Sequence, residues 1–322
     1  MKPLSRGKIS IDVLESTFLK LTGAASRDLV TPPLPGLDFA ALRVAGKYMI
    51  VSADPVTGVV ENIGRYALSV SSNDVATSGN RPQFAESVVL LPEGADRGYA
   101  GKVARQMDGE AKKLGITIVG GHTEVTPGLR RPIVVVTAFS FVDDYVSSRD
   151  ARAGDTIMMT KTAGLEGTAV LGGDPKFLDR ISVVEEAVAA YRTGQVHAMH
   201  DCTEGGVIGA AFEMSLASGI GFELEEARIP VAPQTARLCR RLAIDPLKLI
   251  GSGALLLSVA RGEEAELRKA LSPTCQVASV GTFTKSGRTL IRRGGTRQTI
   301  RVAPEDELWR ALYRAPSRSH GA

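Results

Sequence analysis

Residues 61–78, ENIGRYALSVSSNDVATS, read as one helix with Gly79 placed just past its end as a stop. At about 100° per residue, Ile63, Tyr66, Ala67 and Val70 line one face, and Asp74 falls in the middle of that face. An unpaired carboxylate inside a core is costly, so it must be neutralised, matched with a cation or given donors. Any fold for this chain has to satisfy that demand.

The segment before the helix sharpens it. TPPLPG (residues 31–36) is rich in breakers, and LDFAALRV, the turn AGK and YMIVSADPV then read as a β-hairpin. With Gly46 at the turn, Asp38 and Asp54 lie equally far along the two arms, opposite or within a one-residue bulge. Facing like charges destabilise a sheet, which calls for something positive between them. Two readings fit. Asp38, Asp54 and Asp74 share a magnesium site of the kind that also holds nucleotide phosphates; or Asp38 is a turn residue and Asp74 caps a neighbouring element.

The remaining pattern is that of an α+β chain. A first helix is expected around 12–22. After the Asp74 helix come a strand ESVVLLP, a charged helix over about 96–114, and strands ITIVGG and RPIVVVTAFSFV. The polar run SSRDARAG around 147–154 marks a boundary near residue 150, giving units 1–150 and 151–322. The second half reads as helix-rich to about Ala217, then as short strands; the tail APSRSHGA is expected to fray. A chain of 322 residues is long enough for two such cores. Its net charge of +4, evenly spread, and only 5% aromatic residues argue against nucleic acid as a partner. Three cysteines without CxxC spacing suit a reduced compartment, and neither a signal peptide nor a membrane span is visible, so a cytoplasmic protein is expected.

Two glycine pairs stand beside polar residues. In GGHTE the backbone at Gly120 and Gly121 can approach a ligand closely, with His122, Thr123 and Glu124 following. In HDCTEGG, Thr203 reads as an N-cap, and Gly205 and Gly206 open a helix whose start would seat an anion or simply allow close packing. That helix should turn Val207, Ala210, Ala211 and Met214 inward. Cys202 reads as a small buried residue, and His200 as either a structural hydrogen-bonder or a group lining a substrate cleft. Lys8, in RGKIS, is either a solvated charge or a lysine able to reach a phosphate. Neither GxxxxGK[ST] nor a helix-opening GxGxxG is present, so a nucleotide site here is of neither the P-loop nor the Rossmann kind.

GKI, GLDFAAL, SADPV, SSNDVATSGNRP, GGHTE, TKTAGLEGTAVL, MHDCTEGGVIGA and GSGALLLSV occur in one order from about Gly7 to Val302. Together they resemble the aminoimidazole ribonucleotide (AIR) synthetase superfamily, which includes HypE, selenophosphate synthetase and thiamine-phosphate kinase, and they are most similar to the HypE-like branch. The resemblance implies a two-domain α+β fold and a homodimer whose N-terminal domains pair strands. ATP then lies in a cleft, with Mg²⁺ on acidic residues. Carried over by position, Asp38, Asp54 and Asp74 are the metal carboxylates, Asn73 accompanies Asp74, and Lys8 approaches the phosphates. Gly120, Gly121, His122, Thr123 and Glu124 are the remaining nucleotide-binding candidates, with His122 standing where relatives carry Asp, Glu or His. His200, Asp201, Thr203, Glu204, Gly205 and Gly206 face the substrate, and Lys8, Asp74 and His200 are the candidate catalytic groups.

The implied reaction is ATP-dependent phosphoryl transfer onto a carbonyl-type oxygen of a small-molecule or carrier-protein acceptor, with hydrogenase maturation as its setting. The alternatives are a small-molecule kinase and a non-catalytic ATP-binding partner of a maturation complex. Four departures bear on the acceptor. The chain ends SRSHGA where HypE ends in cysteine, and its N-terminal region lacks the cysteine of selenophosphate synthetase. Glu204 stands where the family has Arg in TRGG. Gly36-Leu37-Asp38 replaces the doubled Asp of thiamine-phosphate kinases.

Overall fold

The structure, a computed structural model, describes residue 4, residues 6–172 and residues 175–314. The polar tail of the sequence reading lies outside them. The first half contains helix α1 (Ile11–Ser16), strands β1 (Ala40–Val44) and β2 (Lys47–Val56), and helix α2 (Ile63–Ala76). Strand β3 (Phe84–Pro92), helix α3 (Arg97–Leu114), and strands β4 (Thr117–Thr126) and β5 (Ile133–Val142) complete it. These strands form one five-stranded sheet in the order β1-β2-β5-β3-β4. The second half is built from β6 (Thr156–Thr160), α4 (Leu165–Val170), α5 (Val184–Tyr191), β7 (Val196–Asp201), α6 (Gly206–Ser218) and β8 (Gly221–Glu225). It continues with α7 (Pro233–Leu242), β9 (Leu255–Val259), α8 (Glu264–Leu271), β10 (Val277–Thr284), β11 (Arg288–Ile291), β12 (Arg297–Thr299) and α9 (Glu307–Arg314). Its sheet has the order β12-β11-β8-β10-β6-β9-β7.

Local chemistry explains the elements that position the site. Ala45 and Gly46 both take positive φ, 49° and 81°, as a two-residue hairpin turn of the primed type requires, and Val44 pairs with Lys47. Strand β1 begins only at Ala40, whose partner is Val51, so Asp38 precedes the ladder and does not face Asp54 across it. Asp96 caps α3 by accepting from the Tyr99 N–H at 2.7 Å, and Gly115 ends it in the left-handed conformation. The first helix is shorter than its sequence pattern: α1 stops at Ser16 and a single 3₁₀ turn, Phe18–Lys20, follows.

Helix α2 lies on one face of the first sheet. Ile63, Ala67 and Leu68 are fully buried there, each large side chain stabilising by roughly 1.5–3 kcal/mol. The apolar cluster they join is continuous with Met158, Val183, Ala187 and Leu257 of the second half. The opposite sheet face carries Met49, Val51, Phe84, Val88, Val135 and Phe139, half-buried or exposed by the strict alternation of the strands. Among the described residues no helix is long and apolar enough to cross a membrane.

Candidate active site

Asp74 does point inward. It is 7% exposed, and the Ser52 hydroxyl on β2 donates to its Oδ2 at 2.7 Å. Asp54, two residues further along the same face of β2, brings its carboxyl against that of Asp74. From the second half, β7 ends in His200 and Asp201, which are 2% and 0% exposed. The Asp38 side chain is 5% exposed, and its Oδ1 lies 3.1 Å from His200 Nδ1. One ligand atom from each of Asp38, His200 and Asp201 falls within 4.8 Å of the others. Both carboxylate oxygens of Asp201 are buried without a hydrogen-bond partner. A buried acid with no donor is rare enough to require an explanation, and an ion is one of the few available.

The electrostatics agree. Burial, then the carboxylates of Asp54, Asp201 and Asp38, hold Asp74 well above the usual carboxylate range. Burial and then Asp38 do the same to Asp201. Burial pushes Asp38 up to about 6 against the pull of His200. Like charges gathered in low dielectric resist ionising together, and a divalent cation placed among them would reverse that.

A cationic wall faces the acids. Burial disfavours the His200 imidazolium, but Asp38 and Glu213 outweigh it and carry its pKa up to about 9. Its Nδ1 lies 2.8 Å from the Asp201 carbonyl oxygen. Its Nε2 lies 3.1 Å from Glu213 Oε2, off the line of a hydrogen bond. Lys8 Nζ donates to Glu213 Oε1 at 3.1 Å, and the Lys8 backbone N–H donates to Glu204 Oε2 at 2.8 Å. Burial would raise Glu213, yet Lys8 and His200 bring it down to about 2. Gly36, at φ 86°, lets the chain entering Asp38 press on the Glu213 carbonyl, where any side chain would collide. Glu166, on α4, is a further buried acid, pushed up to about 7 first by burial and oriented near Asp54, Glu204 and Asp306.

Several expected site residues have other partners. Asn73 is fully buried, and its amide is spent on backbone: Nδ2 donates to the Ile181 carbonyl and Oδ1 accepts from the Val183 N–H, both at 2.9 Å. It clamps α2 to the second half, with one Nδ2 proton and one Oδ1 lone pair committed to backbone. Thr203 is not an N-cap; α6 starts at Gly206, and the Gly205 N–H already donates to Asp306 Oδ2 at 2.7 Å. The expected anion seat is therefore taken by a carboxylate of this chain. A side chain at Gly206 would meet the carbonyls of Leu247 and Leu249, so packing explains this glycine. The inward set Val207, Ala210, Ala211 and Met214 is buried as the pattern requires.

Gly120, Gly121, His122, Thr123 and Glu124 lie within β4, at the exposed edge of the sheet. Asp54 aligns with Val136, Val136 with Ser87 and Ser87 with Gly121, which sets the motif roughly 14 Å from Asp54 at about 4.8 Å per strand. Within one chain these residues do not join the carboxylate cleft. His122 Nε2 instead lies 3.0 Å from Glu124 Oε2.

Two α+β units that close around acidic strand ends define an AIR synthase-type protein. The family described as AIR synthase related protein matches with its N-terminal domain over residues 36–142 and its C-terminal domain over residues 152–292, and the chain belongs to that family. A carbamoyl dehydratase HypE from Escherichia coli (strain K12) is 30% identical over 251 residues, 73% of this chain and 75% of the relative. Among solved structures, a HypE–HypF complex superposes with a TM-score of 0.75 at 21% identity, covering 89% of this chain and 98% of the other. A HypE in complex with ATP superposes at 0.71 and 21%, covering 96% and 98%.

Proposed function

We propose that this protein is an ATP- and Mg²⁺-dependent enzyme of the HypE type, which activates a carbonyl-type oxygen of a small-molecule or carrier-protein acceptor by phosphoryl transfer. The observation that carries the proposal is the group of buried acids, Asp38, Asp74 and Asp201, with half-buried Asp54 beside them and both Asp201 oxygens unpartnered. Mg²⁺ binds through a few carboxylates and completes its shell with water and phosphate, which suits this donor set. Bound there, it would supply charge neutralisation for the transferred phosphoryl group.

The chain's own residues have distinct tasks in this reading. Asp38, Asp54, Asp74 and Asp201 would hold the metal, and Lys8 would face the phosphates. His200, as an imidazolium between Asp38 and Glu213, would offset the excess negative charge beside the acceptor. Glu204, half-buried beside Lys8, faces the acceptor side. Most of the rate enhancement would come from positioning and charge, since phosphoryl transfer leaves little covalent work to the protein.

The similar HypE bound to ATP and the HypE–HypF complex support a nucleotide cleft and a protein partner in hydrogenase maturation. In this reading residues 1–150 form the nucleotide and dimerisation unit and residues 151–322 the acceptor-side unit of a cytoplasmic homodimer. The half-exposed apolar face of the first sheet and the open edge at β4 suit pairing with a second copy, which would bring GGHTE of one protomer toward the cleft of the other. A thermal-shift titration with ATP, with and without Mg²⁺, tests the proposal. The melting temperature should rise with ATP only when Mg²⁺ is present. No rise with either would remove the nucleotide reading altogether.

A further inference from the structure

Glu213 was assigned no role by its sequence context, yet it joins the two positive groups of the cleft. Its side chain is 14% exposed, and its two oxygens lie 3.1 and 3.3 Å from Lys8 Nζ, while Oε2 also lies 3.1 Å from His200 Nε2. Lys8 needs such an anchor. Its side chain is 55% exposed, and it follows Gly7, at φ 85°, on a segment with no strand partner. Among the described residues, no other hydrogen bond or ion pair holds Lys8 Nζ. The ammonium has three protons, so the anchor to the two Glu213 oxygens leaves one donor free for a phosphate.

We propose that Glu213 is a positioning residue that acts through Lys8, holding the ammonium at the edge of the carboxylate cleft so that polyphosphate meets a preset cation. This inference rests on the reading of the cleft as a Mg²⁺-ATP site. An untethered lysine would have to be ordered on binding, and preorganisation removes that cost. A competing view is that Glu213 acts only through its negative charge, which would repel phosphate and weaken binding wherever Lys8 is.

The two views differ in sign and in coupling. Mg²⁺-ATP affinity is measured by titration calorimetry on wild type, Glu213→Gln, Lys8→Met and the double variant, a double-mutant cycle. Glu213→Gln should weaken binding about tenfold in the wild-type background, as loss of a charge-assisted hydrogen bond allows. In the Lys8→Met background the same change should have an effect of less than about twofold. Equal weakening in both backgrounds, no change, or tighter binding would overturn the positioning role. If Glu213→Gln fails to fold, Glu213→Asp keeps the charge but shortens the reach, and the same loss confined to the Lys8 background is expected. Absence of Mg²⁺-ATP binding in wild type would overturn the underlying reading; normal wild-type binding without coupling would overturn only this one.

Discussion

The cleft around Asp74 and the edge strand β4 offer acids and a histidine in very different settings. In the cleft, Asp38, Asp74, His200 and Asp201 are nearly inaccessible, and the Asp201 oxygens have no partner. On β4, the side chains of His122 and Glu124 are 63% and 47% exposed and pair with each other in water. An exposed pairing of that kind is screened by water and demands nothing further of the fold. A buried, unpartnered carboxylate is costly and persists only where something else is gained. Residue type alone therefore does not mark a site; burial without a partner does.

The largest expected effect separates the two regions most sharply. Asp74→Asn should weaken Mg²⁺-dependent ATP binding by on the order of 100-fold, read by calorimetry, because the proposed reading makes Asp74 a ligand of the ion. The same substitution should stabilise the metal-free protein by about 1–3 kcal/mol in chemical denaturation, since one of several mutually repelling acids is removed. Weaker binding accompanied by lower metal-free stability would show Asp74 to be a structural hydrogen-bonder.

Next in size is the pH response of the metal-free protein. Asp38 is raised to about 6 in the folded state, so its contribution is fully present below its unfolded value near 3.8 and is lost as pH rises through about 6. His200 is raised to about 9, so its contribution is fully present below its unfolded value near 6.5 and is lost as pH rises through about 9. Both slopes have the same sign. With EDTA present, the melting temperature should fall from pH 5 to pH 8, by on the order of 2–3 kcal/mol in stability, and saturating Mg²⁺ should flatten the profile. A profile that rises over this window, or is indifferent to Mg²⁺, would make the cleft no different from an ordinary surface.

Asn73 supplies an internal control: it is buried beside Asp74 but fully partnered. Asn73→Ala should cost about 2–3 kcal/mol of stability by orphaning the Ile181 carbonyl and the Val183 N–H. Mg²⁺ affinity of the folded variant should change less than about threefold, because Asn73 contributes no metal ligand in this reading. A large loss of metal affinity at unchanged stability would add Asn73 to the ligand set. The smallest effect belongs to His122→Ala, which should alter stability by less than about 0.5 kcal/mol in the same denaturation assay. A larger loss would show β4 to be integrated with a buried region, most simply one supplied by a second copy.

Much of this was legible in the sequence for a definite reason. The period of the 61–78 segment placed Asp74 on the buried face, and α2 (Ile63–Ala76) bears that out. The polar and glycine-rich punctuation located the hairpin and the start of the charged helix. What was not legible depends on contacts distant along the chain. Glu213 adjoins the inward face of α6 and meets Lys8 from 205 residues away, a pairing that no local pattern announces. Thr203 looked like a cap because Ser, Thr, Asp and Asn before a helix usually are, but the carboxylate of Asp306, 101 residues on from Gly205, fills that place. Asn73 was expected beside the nucleotide because it precedes Asp74; one step along a helix turns a side chain about 100°, toward the 181–183 segment. Strand β7, which delivers His200 and Asp201, was hidden inside a stretch read as helix-rich.

The central claim is that the buried acids form a divalent cation site. Electron paramagnetic resonance of Mn²⁺, titrated without nucleotide into EDTA-treated wild type and Asp201→Asn, tests it most directly. Wild type should bind the ion in competition with Mg²⁺, and Asp201→Asn should weaken that binding by on the order of tenfold or more, since an unpartnered ligand would be replaced by a neutral amide. Equal Mn²⁺ binding by the two proteins, or none by wild type, would contradict the account.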